Sequence, residues 1–176
     1  MNTPLLRPID RVVAATDLSP ASELAVEQAA LLAKRWGAAL LLLHVFNDGF
    51  WATLKALYQA EQWIGMEPVL VARERLSRQV RELAERHDLK VRGETRTGRA
   101  ATEIAAFCRE EDAQLLVVGE HGEDGIGETL VGGTALTVLK RAERPVLLVR
   151  RPASPEVFSI LVATDFSETS MRAAEL

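Results

Sequence analysis

Residues 38–46 read "AALLLLHVF", nine positions with one polar side chain. A strand with one face in water alternates apolar and polar residues. This run does not alternate, so as a strand it must be covered on both faces, as in a parallel sheet carrying helices on either side. Its core, "AALLLL" at 38–43, is the longest apolar run in the chain and is far too short to span a bilayer.

The flanking sequence supplies the helices and further strands. "RVVAAT" (11–16) is β-rich and leads into "DLSP". Ser19 or Asp17 can cap a helix there, Pro20 suits its first turn, and Gly37 ends it after Trp36. Residues 47–66 are ambiguous: "WATLKALYQAEQWI" has helical spacing between glycines and reads as a long excursion with a short helix. Residues 68–87 have Val69, Ala72, Leu76, Val80 and Leu83 on one side of a helix. "KVRGETRTG" (90–98) reads as a more exposed strand, and a helix follows over about 100–110. "AQLLVVG" (113–119) is a fourth strand, 132–143 a helix and "RPVLLVR" (144–150) a fifth strand. Strands alternating with helices point to an α/β fold with a doubly wound, five-stranded parallel sheet. Ligands in such folds bind beyond the carboxyl ends of the strands, where the strand order reverses. If the first and fourth strands are neighbours there, Asp17 and Gly119 border one crevice.

The length of 176 residues allows one domain with a sizeable core and part of another. Hydrophobic residues make up 48% and charged residues 26%, the balance of a globular chain. The net charge of −4, without a dense Lys/Arg block, argues against nucleic acid or an anionic membrane as partner. The N-terminus lacks a signal peptide's apolar stretch. The single Cys108 excludes an internal disulfide framework and fits a reducing cytoplasm, and it reads as an apolar filler on a helix.

Residues 160–176, "ILVATDFSETSMRAAEL", echo residues 12–28, "VVAATDLSPASELAVEQ", with seven of 17 positions identical. A Pro- and Ser-rich stretch, "RPASPEVFS" at 151–159, precedes the echo as a linker would. The expected organisation is one complete domain over 1–151, then a linker and the first strand and partial helix of a second, incomplete repeat over 152–176.

Residues 117–133, "VVGEHGEDGIGETLVGG", run from a strand through six glycines to a helix start. Glycines let backbone N–H groups converge on a phosphate, and a helix N-terminus adds its own. Yet 110–139 holds seven acids and no Lys or Arg. At these residues the chain resembles the universal stress protein family, over 9–150 in strand order, and 157–176 is similar to the start of a second family domain. The family's nucleotide-binding members carry Gly, two residues, Gly, nine residues, then Gly followed by Ser or Thr. Gly119, Gly122 and Gly132 fall at those spacings, and Gly133 replaces the hydroxyl residue.

The resemblance implies the universal-stress-protein-like (adenine nucleotide alpha hydrolase-like) fold, and an adenine nucleotide, ATP with or without Mg²⁺, as ligand. It implies that Ala15, Thr16 and Asp17 border the adenosine and that Val45 lines the adenine pocket. It sets Val118, Gly119, His121 and Gly122 beside the ribose and phosphates, with Gly132, Gly133 and Thr134 completing the cradle. It also implies a homodimer through the last strand, 144–150. The expected function is a cytoplasmic stress-response sensor or regulator belonging to a tandem-domain protein truncated early in its second domain. An interaction module of the same fold without a nucleotide is the alternative. No nucleophile–base pair or metal-ligand cluster stands out, so fast catalysis is not expected and slow ATP hydrolysis is left open. His44 reads as a packed or hydrogen-bonded strand-end residue.

Overall fold

The structure, a computed structural model, describes residues 8–47, 68–120, 132–151, 161–168 and 170–171. Ile9–Ala153 forms one compact unit, and Met1–Pro8 with Ser154–Leu176 forms another. The first unit runs β1 (Arg11–Ala15), α1 (Pro20–Trp36), β2 (Ala39–Phe46), α2 (Pro68–His87), β3 (Val91–Thr97), α3 (Ala100–Glu110), β4 (Leu115–Gly119), α4 (Gly133–Arg141) and β5 (Val146–Val149). The excursion expected over 47–66 lies, beyond Asn47, outside the described residues.

All strand pairs are parallel and the sheet order is β3-β2-β1-β4-β5. The chain winds outward from β1 to β3, then crosses back to β4 on the other side of β1. The reversal therefore falls between β1 and β4, where Val12, Val13 and Ala14 pair with Leu115, Leu116 and Val117.

The unbroken apolar run becomes the buried strand β2, in which Leu40, Leu42 and Leu43 are fully covered. Its side chains alternate between two cores. Leu40 and Leu42 join Val12, Ala14 and Val117 under α1 and α2, where Ala25, Val26, Ala29, Ala30, Ala33, Leu76 and Leu83 meet them. Leu41 and Leu43 join Val13, Leu116 and Val118 under α3 and α4, against Ile104, Phe107, Cys108, Ala135 and Val138. Each fully buried Val or Leu contributes about 1.5–3 kcal/mol of transfer free energy, so both faces favour this register.

Ser19 is the N-cap of α1, accepting the Ser22 N–H on its side chain, and Pro20 follows at the first helical position. Gly37 ends the helix in the left-handed region at φ 67°, and the Ala38 N–H returns to Ala33 O at 2.9 Å. The helix expected over 132–143 is shorter and stops at Arg141, with Ala142 extended. Pro145 bars helix from Arg144 onward, and the extended backbone at Ala142 ends it two residues earlier than expected. At Gly93 an added Cβ would lie 2.7 Å from Val80 Cγ2, so α2 rides on β3 closer than a side chain permits.

The outer strand β3 is tied to α3 by charge. Arg96 donates to Glu94 at 2.7 Å and to Glu110 at 2.5 Å, and its guanidinium stacks 4.9 Å from the Phe107 ring centre. The hydrogen bond to Glu110 raises the Arg96 pKa above its ordinary range and holds the Glu110 carboxyl below its own. Burial pushes the Cys108 thiol up to about 11, as befits an inert core cysteine.

Candidate functional site

β1 ends in a turn whose polar groups bond mainly to one another. The Leu18 N–H reaches Thr16 Oγ1 at 3.0 Å, and Thr16 Oγ1 lies 3.0 Å from Ser22 Oγ. Asp17 Oδ1 accepts the Ser19 N–H at 3.0 Å and the Ser19 hydroxyl at 2.5 Å. Ser19 is therefore the cap, and Asp17 braces it from two residues before. These bonds hold Leu18 at φ 65°, a left-handed conformation that costs a non-glycine residue about 1–2 kcal/mol. His44 fixes the turn to β2: its Nδ1 lies 2.9 Å from Thr16 O. A carbonyl only accepts, so Nδ1 carries the hydrogen. His44 is thus a buried hydrogen-bonded residue, as its place at the strand end suggested.

Across the reversal, β4 ends at Gly119, and Glu120 follows. The Glu120 N–H donates to Val149 O at 2.9 Å, and the Gly132 N–H donates to Glu120 O at 2.8 Å. Glu120 and Gly132 are thus joined directly by a backbone hydrogen bond. Gly132 is the N-cap of α4 and no side chain caps that end. The N–H groups of Gly133, Thr134 and Ala135, in the first turn, have no partner within the helix and carry the positive end of its dipole. Gly133 and Thr134 are exposed, and a Cβ at Gly133 would meet nothing within 4 Å.

The residues named from the sequence fall into three groups. Ala15, Val45 and Val118 share the sheet face beneath α3 and α4, the face on which α4 begins, and Val118 is buried there. Thr16 and Asp17 form the turn, with side chains committed to it. Gly119, Gly132, Gly133 and Thr134 lie at the end of β4 and the start of α4. His121 and Gly122 lie outside the described residues, as do Glu123, Asp124, Gly125, Gly127 and Glu128.

Four of the seven acids in 110–139 lie among the described residues, and each has a cation beside it. Glu110 pairs with Arg96 at 2.5 Å, Asp112 with Arg144 at 3.0 Å, Glu120 with Arg150 at 3.0 Å, and Glu111 with Arg92. The cations come from β3 and from the β5 segment, so no count along the loop finds them. Among the described residues no cluster of His, Cys, Asp and Glu is placed to hold a metal ion. No helix among them is long and apolar enough to cross a membrane. Among the described residues, one cleft lies between α1 and α2 and another between α3 and α4.

The strand order is that of a doubly wound α/β protein, a fold whose ligands bind at the reversal of the sheet. The model of the universal stress protein family matches residues 8–150, and the chain belongs to that family. It is 29% identical over 151 residues to universal stress protein MJ0531 of Methanocaldococcus jannaschii, covering 81% of this chain and 82% of that protein. It is 30% identical over 148 residues to universal stress protein Rv1996 of Mycobacterium tuberculosis, covering 83% of this chain but only 45% of that protein. Among solved structures, a universal stress protein of Archaeoglobus fulgidus in complex with dAMP superposes with a TM-score of 0.59 at 20% identity, over 80% of this chain and 97% of the other. A universal stress protein in complex with cAMP superposes with a TM-score of 0.53 at 24% identity, over 80% and 95%.

Proposed function

We propose that this stress protein binds an adenine nucleotide, ATP with or without Mg²⁺, in the crevice beyond β1 and β4, as a cytoplasmic sensor or regulator. One observation carries the reading. The sheet reversal brings the Thr16–Asp17 turn beside the end of β4 and the uncapped N-terminus of α4, over the face shared by Ala15, Val45 and Val118. Helix-end N–H groups and dipole favour a phosphate there. His121 and Gly122 join the site on spacing alone. Proteins of the same fold that were solved with dAMP and cAMP support an adenine ligand. Any Mg²⁺ would take oxygen ligands from the phosphates.

We further propose a homodimer through the β5 segment, the outer strand on its side of the sheet, and a second repeat beginning in 152–176. The seven identities in 17 positions support the repeat. So does the length of Rv1996, of which this chain spans 45%. The interaction-module reading has two observations in its favour. The Gly132 N–H is already bonded to Glu120 O and Gly133 has no hydroxyl, which leaves the cradle fewer donors.

Calorimetry with ATP, with and without Mg²⁺, separates the two readings; no heat at millimolar ATP in either condition sinks the sensor. Gly133→Ser sharpens the result. The site has room for the side chain. One added hydroxyl hydrogen bond should tighten ATP by about 2- to 10-fold. Unchanged affinity would remove the phosphate from that helix end.

A further inference from the structure

We infer that Glu120 is a positioning residue that ties the end of β4 to the start of α4 and to the end of β5. The inference deepens the nucleotide reading and rests on it for its effect on affinity.

Three contacts converge on Glu120. Its N–H bonds to Val149 O at 2.9 Å, its carbonyl accepts the Gly132 N–H at 2.8 Å, and its carboxylate Oε2 lies 3.0 Å from Arg150 Nε. The Glu120 side chain is only 11% exposed, whereas Arg150 is 61% exposed. A carboxylate that deep needs its cation close by, so the pair sets where the Glu120 backbone lies. Gly132 is the N-cap of α4, so the same residue sets where that helix starts and where the Gly133 and Thr134 N–H groups sit. The arrangement also explains how an acid is tolerated immediately after Gly119: beside Arg150 it presents a neutral pair to a phosphate. Anything that draws Arg150 away from Glu120 reaches the crevice through one residue.

The test is backbone hydrogen exchange on the nucleotide-free full chain, comparing Glu120→Gln, Arg150→Ala and Arg150→Lys with the parent. Removing either partner should speed exchange at the Gly132 amide by about tenfold while Leu42, buried in β2, keeps its parent rate. Arg150→Lys retains the charge and should stay within about threefold of the parent. ATP affinity should fall about tenfold in the first two variants and recover in Arg150→Lys. Gly132 exchange unchanged in both Glu120→Gln and Arg150→Ala overturns the inference. Equal acceleration at Gly132 and Leu42 also overturns it, since the pair would then support the whole fold. If the parent binds no ATP the nucleotide reading fails, and the exchange result still decides the role of Glu120.

Discussion

In the turn after β1, the Leu18 N–H meets Thr16 Oγ1 at 3.0 Å, the Ser19 N–H meets Asp17 Oδ1 at 3.0 Å and the Ser22 N–H meets Ser19 Oγ at 3.2 Å. In the turn over 164–170, the Phe166 N–H meets Thr164 Oγ1 at 2.9 Å, the Ser167 N–H meets Asp165 Oδ1 at 2.9 Å and the Ser170 N–H meets Ser167 Oγ at 3.2 Å. Leu18 and Phe166 hold the same left-handed backbone, at φ 65° and 62°. The surroundings are opposite. Leu18 is 8% exposed beneath α1 and α2, whereas Phe166 is 83% exposed. Thr, Asp, Ser and Ser at fixed spacing therefore build the turn from local hydrogen bonds. Burial comes from the rest of the sheet and its helices, and it decides how much each group contributes to stability.

The contrast is sharpest for the apolar residue. Leu18→Ala should cost about 2–3 kcal/mol in chemical denaturation, from lost transfer energy and a cavity. Phe166→Ala should stay within about 0.5 kcal/mol. Comparable losses would mean that Phe166 is covered in solution and would break the comparison. Ser22→Ala comes next. It removes the partner of the buried Thr16 hydroxyl and should cost about 1–2 kcal/mol, against a few tenths for Ser170→Ala. Ser19→Ala removes the cap of α1 and the hydroxyl bonded to Asp17, for about 1 kcal/mol. Ser167→Ala should again be near neutral in the same measurement.

What could be read from the chain follows the same division between local and distant causes. The unbroken "AALLLLHVF" implied a strand covered on both faces, and β2 is one, because hydrophobic period alone decides that. Pro20 and Gly37 marked the ends of α1, and of the two caps the sequence offered, Ser19 and Asp17, Ser19 is the one used, because capping is written within four residues of where it acts. The adjacency of β1 and β4 was a condition in the sequence reading and became a fact only with the strand order. Glu120 is where local reading failed. It counted as one more acid in an acidic loop, yet its cation stands thirty residues away, at the end of a strand that pairs with β4. Arg96 and Glu110 were hidden likewise, since their pairing needs β3 and α3 already packed. Gly93 gave no signal either, because the reason for a glycine there is Val80 on the helix above.

The smallest effect tests whether the second turn forms at all. The Ser167 hydroxyl first, then the Ser170 hydroxyl and the Ser167 N–H, stabilise the Asp165 carboxylate and hold its pKa below the ordinary range. A depressed carboxyl favours its charged form when the turn is made. Its contribution is therefore present above the unstructured value of about 3.9 and is lost as pH falls through the lowered one. Titration of the Asp165 side-chain carboxyl by NMR should show a midpoint below about 3.9, moving up toward it in Ser167→Ala and Ser170→Ala. Because Asp165 is fully exposed, global unfolding should hardly respond to the same substitutions. A midpoint at the unstructured value in the parent chain would show that Thr-Asp-x-Ser-x-x-Ser does not form the turn without burial. The turn after β1 would then owe its left-handed Leu18 to the core above it rather than to its own hydrogen bonds.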